Sequence, residues 1–270
     1  MTGQRLPTLM IPHGGGPCFF MDPPAHAPHL WDRMAAYLRG LDAEIGRRPK
    51  AVLVISAHWE TEVPTLHYAE RQSLLFDYYN FPAHTYELTY PAKGAPEVAR
   101  RAAALLAAAG IATAAETARG LDHGVFIPFK LIYPDADVPL VQLSLQKDLS
   151  PALHIQIGQA LAPLRDEDVL IVGSGMTFHN LREIFSGRAT AASVEFDTWL
   201  AEVLDTSDAA ARAQNLVAWA GAPGARLSHP EEEHLLPLMV VAGAAGSDPG
   251  KRNYSENLGG TSAQSGFRFG

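Results

Sequence analysis

A chain of 270 residues, 47% hydrophobic and 19% charged, has the length and composition of one large soluble domain or two small ones. With 21 Lys and Arg against 29 Asp and Glu the net charge is −8, and no basic run occurs, which argues against a nucleic-acid or anionic-membrane surface. Cys18 is the single cysteine, so no intramolecular disulfide can form; this suits a cytoplasmic protein, as does the lack of a signal-peptide pattern at the N-terminus.

In chain order, PTLMI (7–11) reads as a strand that leaves on His13, followed by Gly14, Gly15 and Gly16. A plain turn needs one or two glycines. Three beside a histidine point to a close approach of the backbone, or a sharp turn at a working side chain. WDRMAAYLRGLDAEIG (31–46) sets Trp31, Met34, Leu38 and Leu41 on one helical stripe. AVLVIS (51–56) is the next strand, and PEVARRAAALLAAAG (96–110) is a helix closed by Gly110. VPLVQLSL (138–145) and DVLIVG (168–173) read as strands, and PALHIQIGQALAPL (151–164) as a helix opened by Ser150 and Pro151. SVEFDTWLAEVLD (193–205) and DAAARAQNLVAWAG (208–221) are helical and could form an excursion from the sheet. The Gly/Ser-rich tail, 251–270, reads equally as an edge strand or a loose terminus.

Continuous apolar strands alternating with helices predict an α/β fold whose sheet is buried on both faces. No repeat, linker or charge block divides the chain, so a single domain over 1–270 is expected, its central mixed, mostly parallel sheet flanked by helices. The weakly polar stretches 102–115 and 235–246 fall short of the ~20 residues that a membrane span needs.

Several of the eleven histidines fall at places where such a fold presents its ligands. His13 and His58 end strands, and His179 follows one; the carboxyl ends of strands are where open α/β sheets bind. His123 stands in the Gly-punctuated GLDHGVFIP, and His229 and His234 bracket SHPEEEHLLPL. His26, His29, His67, His84 and His154 read as ordinary core or surface residues. Glu231, Glu232 and Glu233 read as first-turn acids of a helix opened by Pro230, with His234 at its top. The His229–His234 spacing and the proline between them exclude HExxH. HGGG lacks the G-x-S-x-G elbow of a serine hydrolase, and GSGMTF puts Phe178 where a dinucleotide fingerprint needs its third glycine. What remains is an imidazole-rich sheet edge suited to Fe(II), Zn(II), Mn or Cu.

PHGGGP, SAHW, LDHGVFIPF, GSGMTFHNL and HPEEEHLLPL, in that order, resemble the class III extradiol ring-cleavage dioxygenases of the LigB-like superfamily, most closely the DOPA 4,5-dioxygenase branch. The resemblance implies a single α/β domain with a metal site at one edge of the sheet. It makes His13, His58 and His234 the metal ligands and His179 the acid–base residue, with His179 a candidate fourth ligand as in zinc-bound relatives. It puts His123 on the wall of the substrate and oxygen pocket, and His229 near the substrate. Glycine at all of 14–16 departs from the usual first motif and predicts a roomier pocket, with Gly15 beside the substrate.

The implied reaction opens a catechol, DOPA-like or related, with O2. Fe(2+) is expected for activity and Zn(2+) as an ion that also fills the site, because zinc has no redox chemistry. Three histidines without a carboxylate make a ligand set more positive than the two-His, one-carboxylate kind. The alternatives are a zinc-dependent hydrolase or a metal-binding protein without activity on the same fold. The expected partners are the small-molecule catechol and O2, with no nucleic acid and no membrane, in a cytoplasmic monomer or small homo-oligomer.

Overall fold

The structure, a computed structural model, describes residues 5–270. Its centre is built from the apolar runs of the sequence. β1 (Thr8–Pro12), β2 (Ala51–Thr61), β5 (Leu140–Gln146) and β6 (Val169–Gly175) pair in parallel in the order β5-β2-β6-β1. Two short strands, β3 (Thr65–His67) and β4 (Ala114–Glu116), extend one side, with β3 antiparallel to β5. The C-terminal tail forms a hairpin of β7 (Gly250–Leu258) and β8 (Ser262–Phe269). β8 pairs antiparallel with β1, burying Phe267 and Phe269, so the tail closes the other side of an eight-stranded mixed sheet.

Alternation along these strands divides the core in two. Met10, Leu53, Ile55 and Ile171 face one layer, while Leu9, Val52, Val54 and Val172 face the other. The first layer holds α2 (Pro96–Ala108), α4 (Pro151–Leu161) and α8 (Leu236–Ala245), and every residue of α8 is buried. The second holds α1 (Asp32–Ile45) and α3 (His123–Ile132). Central strands covered on both faces need no polar alternation, which is why they read as continuous apolar runs.

The helices expected as an excursion belong to the core instead. Phe196, Leu200 and Leu204 of α5 (Thr190–Leu204) and Leu216 of α6 (Ala209–Val217) pack in the same cluster as Leu53 and Met239. Their surface looked acidic and Ala-rich because only one stripe of each faces inward. A further turn of helix, α7 (Ala225–Ser228), leads into the loop before α8. Among the described residues no helix is long and apolar enough to cross a membrane.

Candidate metal centre

Parallel pairing brings the carboxyl ends of β1, β2 and β6 to one edge. Pro12 pairs with Gly175 and Ser56 with Ser174, so the chain exits that carry His13, His58 and His179 lie side by side. Beyond Ser56 the register slips: Ile55 pairs with Leu143 but Glu60 with Leu145. The resulting bulge in β2 carries His58 away from the ladder, a common way to re-aim a working side chain. His123 is the first residue of α3, which starts at the same edge.

His234 arrives differently. α8 begins at Leu236, not at Pro230, and residues 230–235 form turns that fold back on the end of β6. The Met176 amide donates to the His234 carbonyl at 3.1 Å. A Cβ on Gly175 would collide with that carbonyl oxygen. Of the glycines that resembled a dinucleotide fingerprint, Gly175 is therefore clearance for the His234 loop and Gly173 for the Pro237 carbonyl of α8.

Five histidines converge. The ring centroids of His13, His58 and His234 form a nearly equilateral triangle with sides of 4.9, 5.2 and 4.8 Å. His123 lies 4.0 Å from His58, and His179 stacks on His234 at 3.3 Å. The Nε2 atoms of His13 and His58 are 3.1 Å apart.

Oxygen partners orient four of the five rings, those of His13, His123, His179 and His234, through Nδ1. Ser174 gives its hydroxyl proton to the Gly124 carbonyl, so its oxygen accepts from His13 Nδ1–H at 3.0 Å. Glu233 Oε1 accepts from Nδ1 of both His179, at 3.0 Å, and His234, at 2.9 Å. Asp77 Oδ1 accepts from both the backbone amide and Nδ1 of His123, each at 2.9 Å, while its Oδ2 lies 3.9 Å from His58 Nδ1. This leaves the Nε2 lone pairs for the cavity. Metal-binding histidines are held in this way, with the remote nitrogen on an oxygen acceptor.

The donor set suits a divalent metal. Burial, reinforced by neighbouring imidazoles, lowers the pKa of His13 and His234 well below the usual histidine value. It pushes His58 down to about 3. All three are neutral at pH 7, with lone pairs free to bind. With metal–nitrogen bonds of about 2.1 Å, two bound rings stand roughly 4.5–5.2 Å apart for angles between tetrahedral and octahedral. The His13–His58–His234 triangle matches that spacing. By donor-atom distance the groups that could hold an ion are His13–His58–His123 and His179–Glu233–His234, each within 4.8 Å, so the His13–His58–His234 set rests on ring spacing alone.

The histidines floor a cavity of about 490 Å³ that Gly15 also lines. Within the glycine run, Gly14 and Gly16 have φ of +76° and +53°, where a side chain is strained. A Cβ would also meet Cys18 Sγ at Gly14 and Phe81 at Gly16. Gly15 differs: its φ is ordinary, and an added Cβ would find only Trp31, at 3.9 Å. The outer glycines make the turn, and the middle one keeps the cavity open.

His229 does not line that cavity, contrary to the expectation that it stands near the substrate. It is wholly buried between Phe196 and Trp219, with Nε2 bonded to the Thr177 carbonyl at 2.9 Å. Burial pushes its pKa down to about 4. Pro230 turns the chain just after it, so His229 braces the 176–180 loop from behind, and the His179 amide donates to the Ser228 carbonyl beside it.

Sequence reasoning missed Glu233, Asp77 and the buried Asp122. Asp122 accepts from Ser56 and pairs with Arg119, whose other nitrogen donates to the His58 carbonyl. Asp122, next to His123 in LDHG, was the one of the three with a visible signal.

Residues 7–267 match the family described as the catalytic LigB subunit of aromatic ring-opening dioxygenase. The protein named dioxygenase tasH of Hapsidospora irregularis is 39% identical over 269 residues, 93% of this chain and 81% of its own. The 4,5-DOPA dioxygenase extradiol of Beta vulgaris is 42% identical over 75% of each chain. That of Escherichia coli K12 is 34% identical over 90% of this chain and 87% of its own. A crystal structure of an uncharacterized protein from Escherichia coli K12 superposes with a TM-score of 0.79 at 29% identity, covering 98% of this chain and 100% of the other.

Two outcomes are expected. Gly15→Leu should melt near the wild-type temperature while turnover falls about 10–100-fold through displaced substrate; Gly14→Ala should instead lose about 1–2 kcal/mol of stability in a denaturant titration. Glu233→Gln should stay folded and bind metal about 10–100-fold more weakly in a competition assay. Unchanged affinity would show that Glu233 does not orient a ligand.

Proposed function

The chain belongs to the family of the catalytic LigB subunit of aromatic ring-opening dioxygenase and is a metal-dependent extradiol ring-cleaving enzyme acting on a small molecule with O2; we propose that His13, His58 and His234 hold its metal and that His179 moves the protons. The observation that carries this reading is the regular triangle of neutral imidazoles gathered at the carboxyl edge of the parallel sheet. Putting His123 in place of His234 would leave one side at 4.0 Å, too short for two rings bound at right angles.

The working ion is Fe(II): bound there, it supplies the redox chemistry between O2 and a catechol that Zn(II) lacks, although zinc fits the same nitrogens. Three protein ligands leave positions for substrate and oxygen. His179 stands beside that floor with Nδ1–H on Glu233, so Nε2 takes a proton from a catechol hydroxyl and later returns one to the opened ring. His123, its Nδ1–H held by Asp77, presents the Nε2 lone pair to the same space, where it accepts a hydrogen bond from a hydroxyl of the substrate. Trp31, Phe81 and Met176 line the cavity with apolar surface that disfavours water. DOPA, named for several relatives, belongs in any first substrate panel. A reducing cytoplasm suits the single buried thiol, Cys18.

Anaerobic loading with Fe(II), then oxygen uptake with DOPA, protocatechuate, gallate and uncharged catechols, tests the activity. Stoichiometric O2 consumption with a ring-opened product is expected, whereas hydrolysis without oxygen uptake would overturn it. His13→Ala, His58→Ala and His234→Ala should each remain folded and lose most bound metal by elemental analysis; near-full occupancy in any one removes that residue from the ligand set. His179→Ala should keep its metal and its affinity for catechol, yet turn over about 10²–10⁴-fold more slowly. Raising the pH should restore part of the rate, as substrate deprotonates without help. Loss of the metal in this variant would make His179 a ligand.

A further inference from the structure

Away from the histidines the cavity is apolar. Trp31, Phe81 and Met176 form its wall. The three most exposed large hydrophobic side chains among the described residues, Tyr79 at 79%, Leu181 at 73% and Phe185 at 53%, all stand on its lining. Gathering such side chains at one mouth marks a surface that something apolar covers. At about 490 Å³ the space lies within the ~300–1,000 Å³ of sites that take drug-sized ligands, well beyond the needs of a bare catechol ring.

Charge points the same way. Among the described residues no lysine or arginine lines this cavity. Its one carboxylate, Asp77, is committed to His123 and faces His58. Arg182 belongs to an adjoining cleft beyond His179, in the company of Glu183, Glu231 and Glu233. A carboxylate on the substrate's side arm would leave water and meet no cation, whereas an alkyl or aryl arm would cover Tyr79, Leu181 and Phe185.

We propose that the substrate is a catechol bearing an uncharged, apolar arm, its two oxygens toward the histidines and its arm along Trp31 and Phe81 to the mouth. This rests on the ring-cleavage reading and narrows it, placing carboxylated catechols, the amino acid DOPA among them, as the poorer substrates of this chain.

The test separates the two claims. Fe(II)-loaded full-length protein is titrated without oxygen, by calorimetry, with 4-methyl-, 4-ethyl- and 4-butylcatechol, with 3-(3,4-dihydroxyphenyl)propanoate, close in size to the butyl compound, and with DOPA. Oxygen uptake is then measured for each. Affinity should rise about fourfold per added methylene until the mouth is reached. The propanoate should bind at least ~10-fold more weakly than 4-butylcatechol. Leu181→Arg, at an exposed position that folding tolerates, should narrow that gap about three- to fivefold. Propanoate or DOPA binding as tightly as 4-butylcatechol overturns the inference, whatever the turnover. The predicted binding order without oxygen consumption by any compound upholds the inference about the cavity and overturns ring cleavage.

Discussion

Parallel pairing across β5, β2, β6 and β1 obliges successive chain exits to leave the sheet on one side. Everything at the centre depends on that constraint. The residues just beyond each strand have no ladder partner to satisfy, so they are free to carry side chains with other work. The apolar layers on both faces hold the strands in a single register, because slipping a strand by one residue would turn its whole inner set outward. Cores that look remote from the histidines thus fix the distances between them. Met10 and Val172 set the level at which His13 and His179 leave the sheet.

Convergence alone would give a cluster of mutually repelling bases. Two oxygen-bearing side chains each serve two histidines: Glu233 holds His179 and His234, and Asp77 holds His123 and faces His58. Sharing the Glu233 acceptor couples the rings of His179 and His234, so the two move together. Burial keeps the imidazoles of His13, His58 and His234 neutral. The site is therefore assembled in its metal-accepting protonation state, and the chain bears the cost of burying polar rings in advance.

The fold was legible because its evidence is periodic. AVLVIS and DVLIVG can hardly be anything but buried strands, and the Trp31, Met34, Leu38 and Leu41 stripe could only be an amphipathic helix. His13 and His179 were legible for the same reason, since the ends of their strands were; His58, read as ending its strand, lies within β2, which runs on to Thr61 past the bulge. Residues whose role depends on a fold-back were not. Glu233 looked like one of three first-turn acids, and only the turn over 230–235 aims it inward while Glu232 pairs with Arg226 at the surface. Asp77 lies in an irregular loop among aromatics, where no period points to His123, far along the chain. His229 shows the converse: a histidine in a strong motif whose neighbour, proline, turns it into the core.

The pair of carboxylates also revises the charge of the centre. Three histidine ligands without a carboxylate suggested a site left positive by its metal. The structure sets two carboxylates directly behind the rings. The His123 hydrogen bond, acting against burial, holds Asp77 below the ordinary carboxylate range, and the His179 bond does the same for Glu233. Two negative charges behind the rings would partly offset the charge of a divalent ion held by the histidines. In the proposed reading a neutral catechol entering such a centre passes one proton to His179 and becomes a monoanion beside an imidazolium, with no change in net charge. A substrate that brought a further charge on its arm would have to place it against Trp31, Phe81 and Met176. The electrostatic balance at the floor and the apolar wall above it are both consistent with the proposed substrate, a molecule whose only ionisable groups are those it presents to the histidines.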